Sequence, residues 1–160
     1  MKVSIHAVGR LKAGPEKELA ARYLDRFLKS GPTLGLDFSG VTEIAESRAA
    51  SAGERGREEA DRLLAFVDEK AALVLLDERG KNLSSPQFAE KLGALRDEGR
   101  RHTVFAIGGP DGHADFLRER AAILWSFGAL TWPHQMVRFM LAEQLYRATT
   151  ILSGHPYHRV

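Results

Sequence analysis

The chain has 160 residues, 44% of them hydrophobic and 28% charged, with a net charge of +2 at pH 7. That length and balance fit one domain, residues 1–160, able to bury roughly 70% of its unfolded surface. The lack of cysteine excludes disulfides, thiolate zinc sites and a catalytic thiol. It also fits a reducing compartment. The opening Met1-Lys2-Val3-Ser4-Ile5-His6 has no signal-peptide core, and no apolar run nears the roughly 18 residues of a membrane span. A cytoplasmic protein is therefore expected.

In chain order, residues 3–8 read as a first strand ending at Gly9. Pro15 opens a helix to Ser30, stopped by Gly31-Pro32. Residues 34–44 read as a second strand broken at Ser39-Gly40, and 45–56 as a loose segment rich in Ala, Ser, Glu, Arg and Gly. A helix resumes near Arg57, with Ala60, Leu63, Leu64 and Val67 inward. Residues 72–77 form a continuous apolar run ending in Asp77, the pattern of a central parallel strand covered on both faces. A loop is expected over 78–83. Ser84 or Ser85 then caps a helix with Pro86 in its first turn. A buried strand over 103–107, a short helix over 115–122 and a last strand over 123–127 follow. The longest helix, His134–Leu152, closes the series. This alternation predicts an α/β domain with a mostly parallel sheet and helices on both faces.

Four segments carry chemistry. Ile107-Gly108-Gly109-Pro110-Asp111-Gly112 is a Gly-rich turn after a buried strand, which lets a ligand approach the backbone. It lacks Walker A and dinucleotide-loop spacing, and taken alone it reads slightly better as a tight turn with no ligand. Residues 126–134, Ser-Phe-Gly-Ala-Leu-Thr-Trp-Pro-His, form an apolar loop suited to enclosing an aromatic ring or plugging a core. In the last helix, Val137, Leu141, Leu145, Ala148 and Leu152 recur at spacings of 4, 4, 3 and 4. Met136, Phe139, Met140 and Ile151 widen that stripe beyond one contact face, which favours a helix shared in a homodimer. Glu143 and Arg147 can pair along it.

The fourth segment is the terminus, His155-Pro156-Tyr157-His158-Arg159-Val160. Residues 134–160 carry Arg138, Arg147 and Arg159 against Glu143 alone. With Tyr157 and the two histidines this local basic excess suits RNA, whose bases stack on aromatic rings and whose phosphates take arginines. A tail packed on a partner subunit is the alternative. With no cysteine and no convergent carboxylate, no metal site is expected from His155 and His158. His6, His102 and His113 form no constellation and read as structural or solvated.

Taken in order, Leu76-Asp77, Ile107-Gly108-Gly109-Pro110-Asp111-Gly112, Leu130-Thr131-Trp132-Pro133-His134, Glu143-Gln144-Leu145-Tyr146-Arg147-Ala148 and His155-Pro156-Tyr157-His158 resemble one family. It is the SPOUT-class methyltransferases of the RlmH type, which act on N3 of a pseudouridine in large-subunit (23S) ribosomal RNA. The resemblance implies a C-terminal trefoil knot, a homodimer and an S-adenosyl-L-methionine site made by three loops. Those loops fall here at Leu76 and Asp77, at Gly108 and Gly109, and at Phe127, Gly128, Ala129, Leu130, Thr131 and Trp132. It also implies an acceptor side in the tail, with His158 as a base and Tyr157 as a stacking or proton-handling group. Arg147 would be an anion contact, and His155, Arg159 and Arg138 would be RNA contacts. The small surface leads one to expect an assembled ribosome as substrate rather than free RNA. A non-catalytic ribosome-associated factor on the same fold and a flavodoxin-like nucleotide protein are the rivals.

Overall fold

The computed structural model describes residues 1–68 and 70–158. Five strands, β1 (Lys2–Val8), β2 (Asp37–Ile44), β3 (Ala72–Asn82), β4 (His102–Ile107) and β5 (Ile123–Ser126), alternate with helices. The helices are α1 (Pro15–Ser30), α2 (Ala52–Leu64), α3 (Ser85–Asp97), α4 (Asp115–Arg120) and α5 (His134–Leu152). The strands form one sheet in the order β2-β1-β4-β3-β5, with every neighbouring pair parallel.

Residues 72–76 of β3 and 104–107 of β4 are continuously apolar and buried because both faces of the sheet are covered there. Val74, Leu76, Phe105 and Ile107 point into a core shared with α1, α3 and α5, where Phe27, Phe88, Leu92, Leu141 and Leu145 are buried. Their neighbours Leu73, Leu75, Val104 and Ala106 point the other way, against Ala60 and Leu63 of α2 and Leu117 of α4. Phe88 stacks on Trp125 with centroids 4.1 Å apart, tying α3 to the end of β5. The last helix, α5, packs against both α1 and α3.

Four boundaries differ from the sequence reading. First, the loose segment shortens, because α2 begins at Ala52: the Ser51 hydroxyl accepts from the Glu54 N–H, and the Glu54 carboxylate accepts from the Ser51 N–H. This reciprocal box satisfies two N-terminal donors that a helix cannot satisfy internally. Second, the expected loop at 78–83 is largely strand. β3 runs on to Asn82 because Lys81 and Asn82 pair with Trp125 and Ser126 of β5. Third, the expected second strand starts late, since Pro32–Leu34 form a 3-10 turn and the ladder begins at Asp37. The short helix α4 likewise stops at Arg120, before 122.

Candidate functional site

Open parallel sheets bind ligands beyond the carboxyl ends of their strands. In this chain the end of β1 and the segments after β2, β3, β4 and β5 open there around one cleft of about 530 Å³. That volume suits an organic ligand of drug-like size. Leu76 and Asp77, Gly108 and Gly109, and Phe127, Gly128, Leu130, Thr131 and Trp132 all line it. Three loops separated by tens of residues in the chain thus meet at one place. Ala129, grouped with them from sequence, is exposed and outside the lining.

The walls are largely backbone. A Cβ on Gly108 would lie 3.0 Å from the carbonyl carbon and oxygen of Gly112, tighter than nearly all real Cβ contacts, so a side chain there would have to push the Gly112 backbone back. Gly128 has φ +107°, a region side chains disfavour. Ser126 shapes that turn: its hydroxyl donates to the Gly128 carbonyl at 3.0 Å and accepts from the Gly128 N–H at 3.1 Å. Trp132 Nε1 donates to the Phe127 carbonyl at 3.3 Å, folding the loop on itself. Leu130 is nonetheless 71% exposed and Trp132 37%, an apolar rim open to a ligand or a partner.

One buried charge faces the cleft. Asp77 Oδ2 accepts from Arg118 Nε at 2.7 Å, and Oδ1 accepts from the Arg79 N–H at 2.9 Å. Burial alone would raise this carboxyl, but the Arg79 N–H and the Arg118 guanidinium outweigh it and hold the group below the usual aspartate range. Asp77 is therefore an anion at neutral pH, able to accept from hydroxyls or face a cation. From the other side, α2 tethers the glycine turn. Arg55 donates to both oxygens of Asp111, at 2.7 and 3.1 Å, while buried Glu59 accepts from the Ser47 N–H at 2.8 Å.

Arg138 overturns an expectation. Read from sequence as an RNA contact, it is 5% exposed and committed inside the protein. Its Nη1 donates to Glu43 Oε1, its Nη2 to the Gly9 carbonyl, and its Nε to His134 Nε2 at 3.1 Å. Positions 134 and 138 share one face of α5, so a single guanidinium joins the ends of β1, β2 and the start of α5. His134 lines the cleft beside Glu46 and Val137.

The tail lies elsewhere. Tyr157 packs on Tyr146 with centroids 4.9 Å apart, beneath the Arg147 guanidinium, also at 4.9 Å. Its hydroxyl donates to Glu143 Oε1 at 3.1 Å and lies 3.3 Å from the Tyr23 hydroxyl, a second hydrogen-bond partner. Burial, the Tyr23 contact and the Glu143 charge push this phenol well above the ordinary tyrosine range. Tyr157 therefore stays protonated at neutral pH and is a stacking group, not a proton acceptor. Arg147 pairs with Glu143 at 2.5 Å, as the helical spacing predicts, and its Nη1 lies 3.4 Å from His158 Nδ1. His155 is exposed, its Nδ1 accepting the Tyr157 N–H at 3.1 Å. Arg159 lies outside the described residues. None of residues 155–158 lines the cleft. At 1.5 Å rise per residue, Arg147 stands about 15–20 Å along α5 from Val137 and His134.

Sequence reasoning missed Arg118, Glu46 and His134 as cleft residues. Arg118 and Glu46 belong to no motif. His134 stood inside a quoted segment, and its spacing of four from Arg138 was the available signal. His6 and His113 are buried as structural residues; burial, then the charge of His113, pushes His6 down to about 4.

Residues 1–158 match the family described as predicted SPOUT methyltransferases. Among curated relatives, "Ribosomal RNA large subunit methyltransferase H" of Mesorhizobium japonicum is 64% identical over 159 residues, 99% of each chain. The protein of that name from Brucella anthropi is 60% identical over 99% of each chain. The one from Agrobacterium fabrum is 60% identical over 160 residues, the whole of both chains.

Proposed function

The chain belongs to the SPOUT methyltransferase family, and we propose that it transfers a methyl group from S-adenosyl-L-methionine to N3 of a pseudouridine in 23S ribosomal RNA, within the assembled ribosome in the cytoplasm. The observation that carries this reading is the convergence of the three loops on one cleft, in a chain 60–64% identical to proteins named large-subunit rRNA methyltransferases. The lining fits the donor: a turn at Gly108 where a Cβ would crowd the Gly112 backbone, apolar Leu76, Phe127 and Trp132 for a ring, and the Asp77 anion for hydroxyls or a cation. S-adenosylmethionine, when bound, supplies an activated methyl on a positively charged sulfur. The chain's part is to bind it in a dry backbone cradle, orient it and present the acceptor in line.

The acceptor side needs a second protomer. N3 of pseudouridine is an imide nitrogen that must lose its proton before it can attack. The tail groups assigned to it stand about 15–20 Å from their own cleft along α5. An isologous homodimer through α5 brings one protomer's tail to the other's cleft. The half-buried Met136 and Met140, outside the apolar core that α5 forms with α1 and α3, support that contact. His158 is then the proposed base, its Nδ1 freed when the long 3.4 Å contact from Arg147 is given up to the RNA, with Tyr157 a stacking surface and Arg147, His155 and Arg159 the anion and RNA contacts. We also read the segment after β5 as the knotted part of the fold, since α5 crosses back from the β5 edge to pack on α1.

The test is mass spectrometry of 23S rRNA nucleosides from a deletion strain. A methylated pseudouridine present in the parent should disappear and return when the purified chain and S-adenosylmethionine are added to the mutant's ribosomes. An unchanged nucleoside profile would overturn the assignment.

A further inference from the structure

Two flanks face each other across the cleft. The loops after β3, β4 and β5 make one, and the proposed donor site occupies them. The other lies over β1, next to β2, and presents Val8, Glu46 and His134. Among these, His134 has a fixed hydrogen-bonding role. A guanidinium can only donate, so the 3.1 Å contact from Arg138 Nε makes His134 Nε2 an acceptor. The ring proton of the neutral imidazole therefore sits on Nδ1. Burial first, then the Arg138 charge, also hold this histidine below its ordinary range, which keeps it neutral at pH 7. Nδ1 has no hydrogen-bond partner among the described residues and is not among the buried unpartnered nitrogens, so it is an accessible donor on a residue that lines the cleft. Arg138 is itself locked by Glu43 and the Gly9 carbonyl, so the ring is held from behind.

With its lone pair engaged, His134 is no base. We propose that it is a further catalytic residue, whose Nδ1–H donates a hydrogen bond to a ring carbonyl oxygen of the acceptor base. This rests on the reading above, in which the acceptor is an imide. When N3 gives up its proton, the negative charge spreads onto the two flanking carbonyl oxygens. A rigid neutral donor aimed at one of them stabilises that anion without surrendering its own proton. No bond to His134 forms or breaks. Preorganised donors of this kind typically change rates by about 10²–10³-fold.

Three measurements test it. Long-range ¹H–¹⁵N spectra of the full-length protein should show His134 protonated on Nδ1 alone at pH 7; a proton on Nε2 overturns the proposal. Single-turnover transfer of labelled methyl to ribosomes should fall about a hundredfold in His134→Ala, with the donor Kd by calorimetry within about threefold of wild type. His134→Asn, whose amide N–H falls near the Nδ1 position, should recover to within about tenfold of wild type. Wild-type transfer in His134→Ala overturns the proposal, as does a donor Kd that weakens in step with the rate, which would place His134 on the donor. An asparagine variant no better than alanine does so too. Label is counted on total RNA, so the ratio of variant to wild type is independent of the nucleotide modified. A wrong nucleotide therefore fails the functional reading and not this one.

Discussion

Deleting residues 154–160 is expected to lower methyl transfer at least about a hundredfold while the donor Kd stays within about threefold, because the segment would remove a proposed base and no cleft wall. Within it, Tyr157 packs at a tilt against Tyr146 and is capped by Arg147, and His158 touches Arg147. Loss of these half-buried contacts on a surface already formed by α1 and α5 costs about 1 kcal/mol, too little to unfold the domain. Calorimetry with S-adenosylmethionine and a single-turnover assay separate the two effects. Donor binding lost together with transfer would make the tail a structural element and contradict its acceptor role.

The converse change is Gly108→Val. Its Cβ would sit 3.0 Å from backbone atoms of Gly112, which cannot move aside as a flexible side chain can. Reopening the turn displaces the floor of the cleft, and donor affinity should fall by about 2 kcal/mol or more, roughly thirtyfold in Kd. Gly128→Ala is the milder companion, since nothing lies within 4 Å of its Cβ position and the cost is the φ of +107°. Isothermal titration at matched thermal stability checks both. An unchanged Kd in Gly108→Val would mean that the donor does not use this turn.

How far these sites were legible follows from the range of the interactions involved. Periodicity and caps act locally, so β1, α1, α3, β4 and α5 were found close to their observed bounds. β3 was cut short at Asp77 because residues after it are polar, and only pairing with β5, some forty residues on, makes them a strand. The Ser51/Glu54 box was local and readable, but the Gly and Ser around it read as loop. The residues themselves marked the 107–112 and 126–134 loops, and the family resemblance implied that they join Leu76 and Asp77 at one site. Arg138 could not be placed that way: its partners Glu43 and Gly9 are 95 and 129 residues distant, and a cation near an aromatic tail reads as an RNA contact until those partners are seen. The composition of the tail marked it as functional, yet its separation from the cleft of its own chain emerges only from where α5 begins and ends.

That separation makes the two-protomer site the central claim, and mixed dimers test it most directly. The tail-deleted chain has an intact cleft and no tail; Gly108→Val has an intact tail and a broken cleft. Assayed with donor below the wild-type Kd, each alone should keep only a few per cent of wild-type transfer. Unfolded and refolded together in equal amounts, half the dimers are mixed and one of the two sites in each is whole, so about a quarter of wild-type methyl transfer should return. A mixture that stays as inactive as its parents, while both variants and their mixed dimers are shown to be folded dimers, would contradict a site shared between subunits.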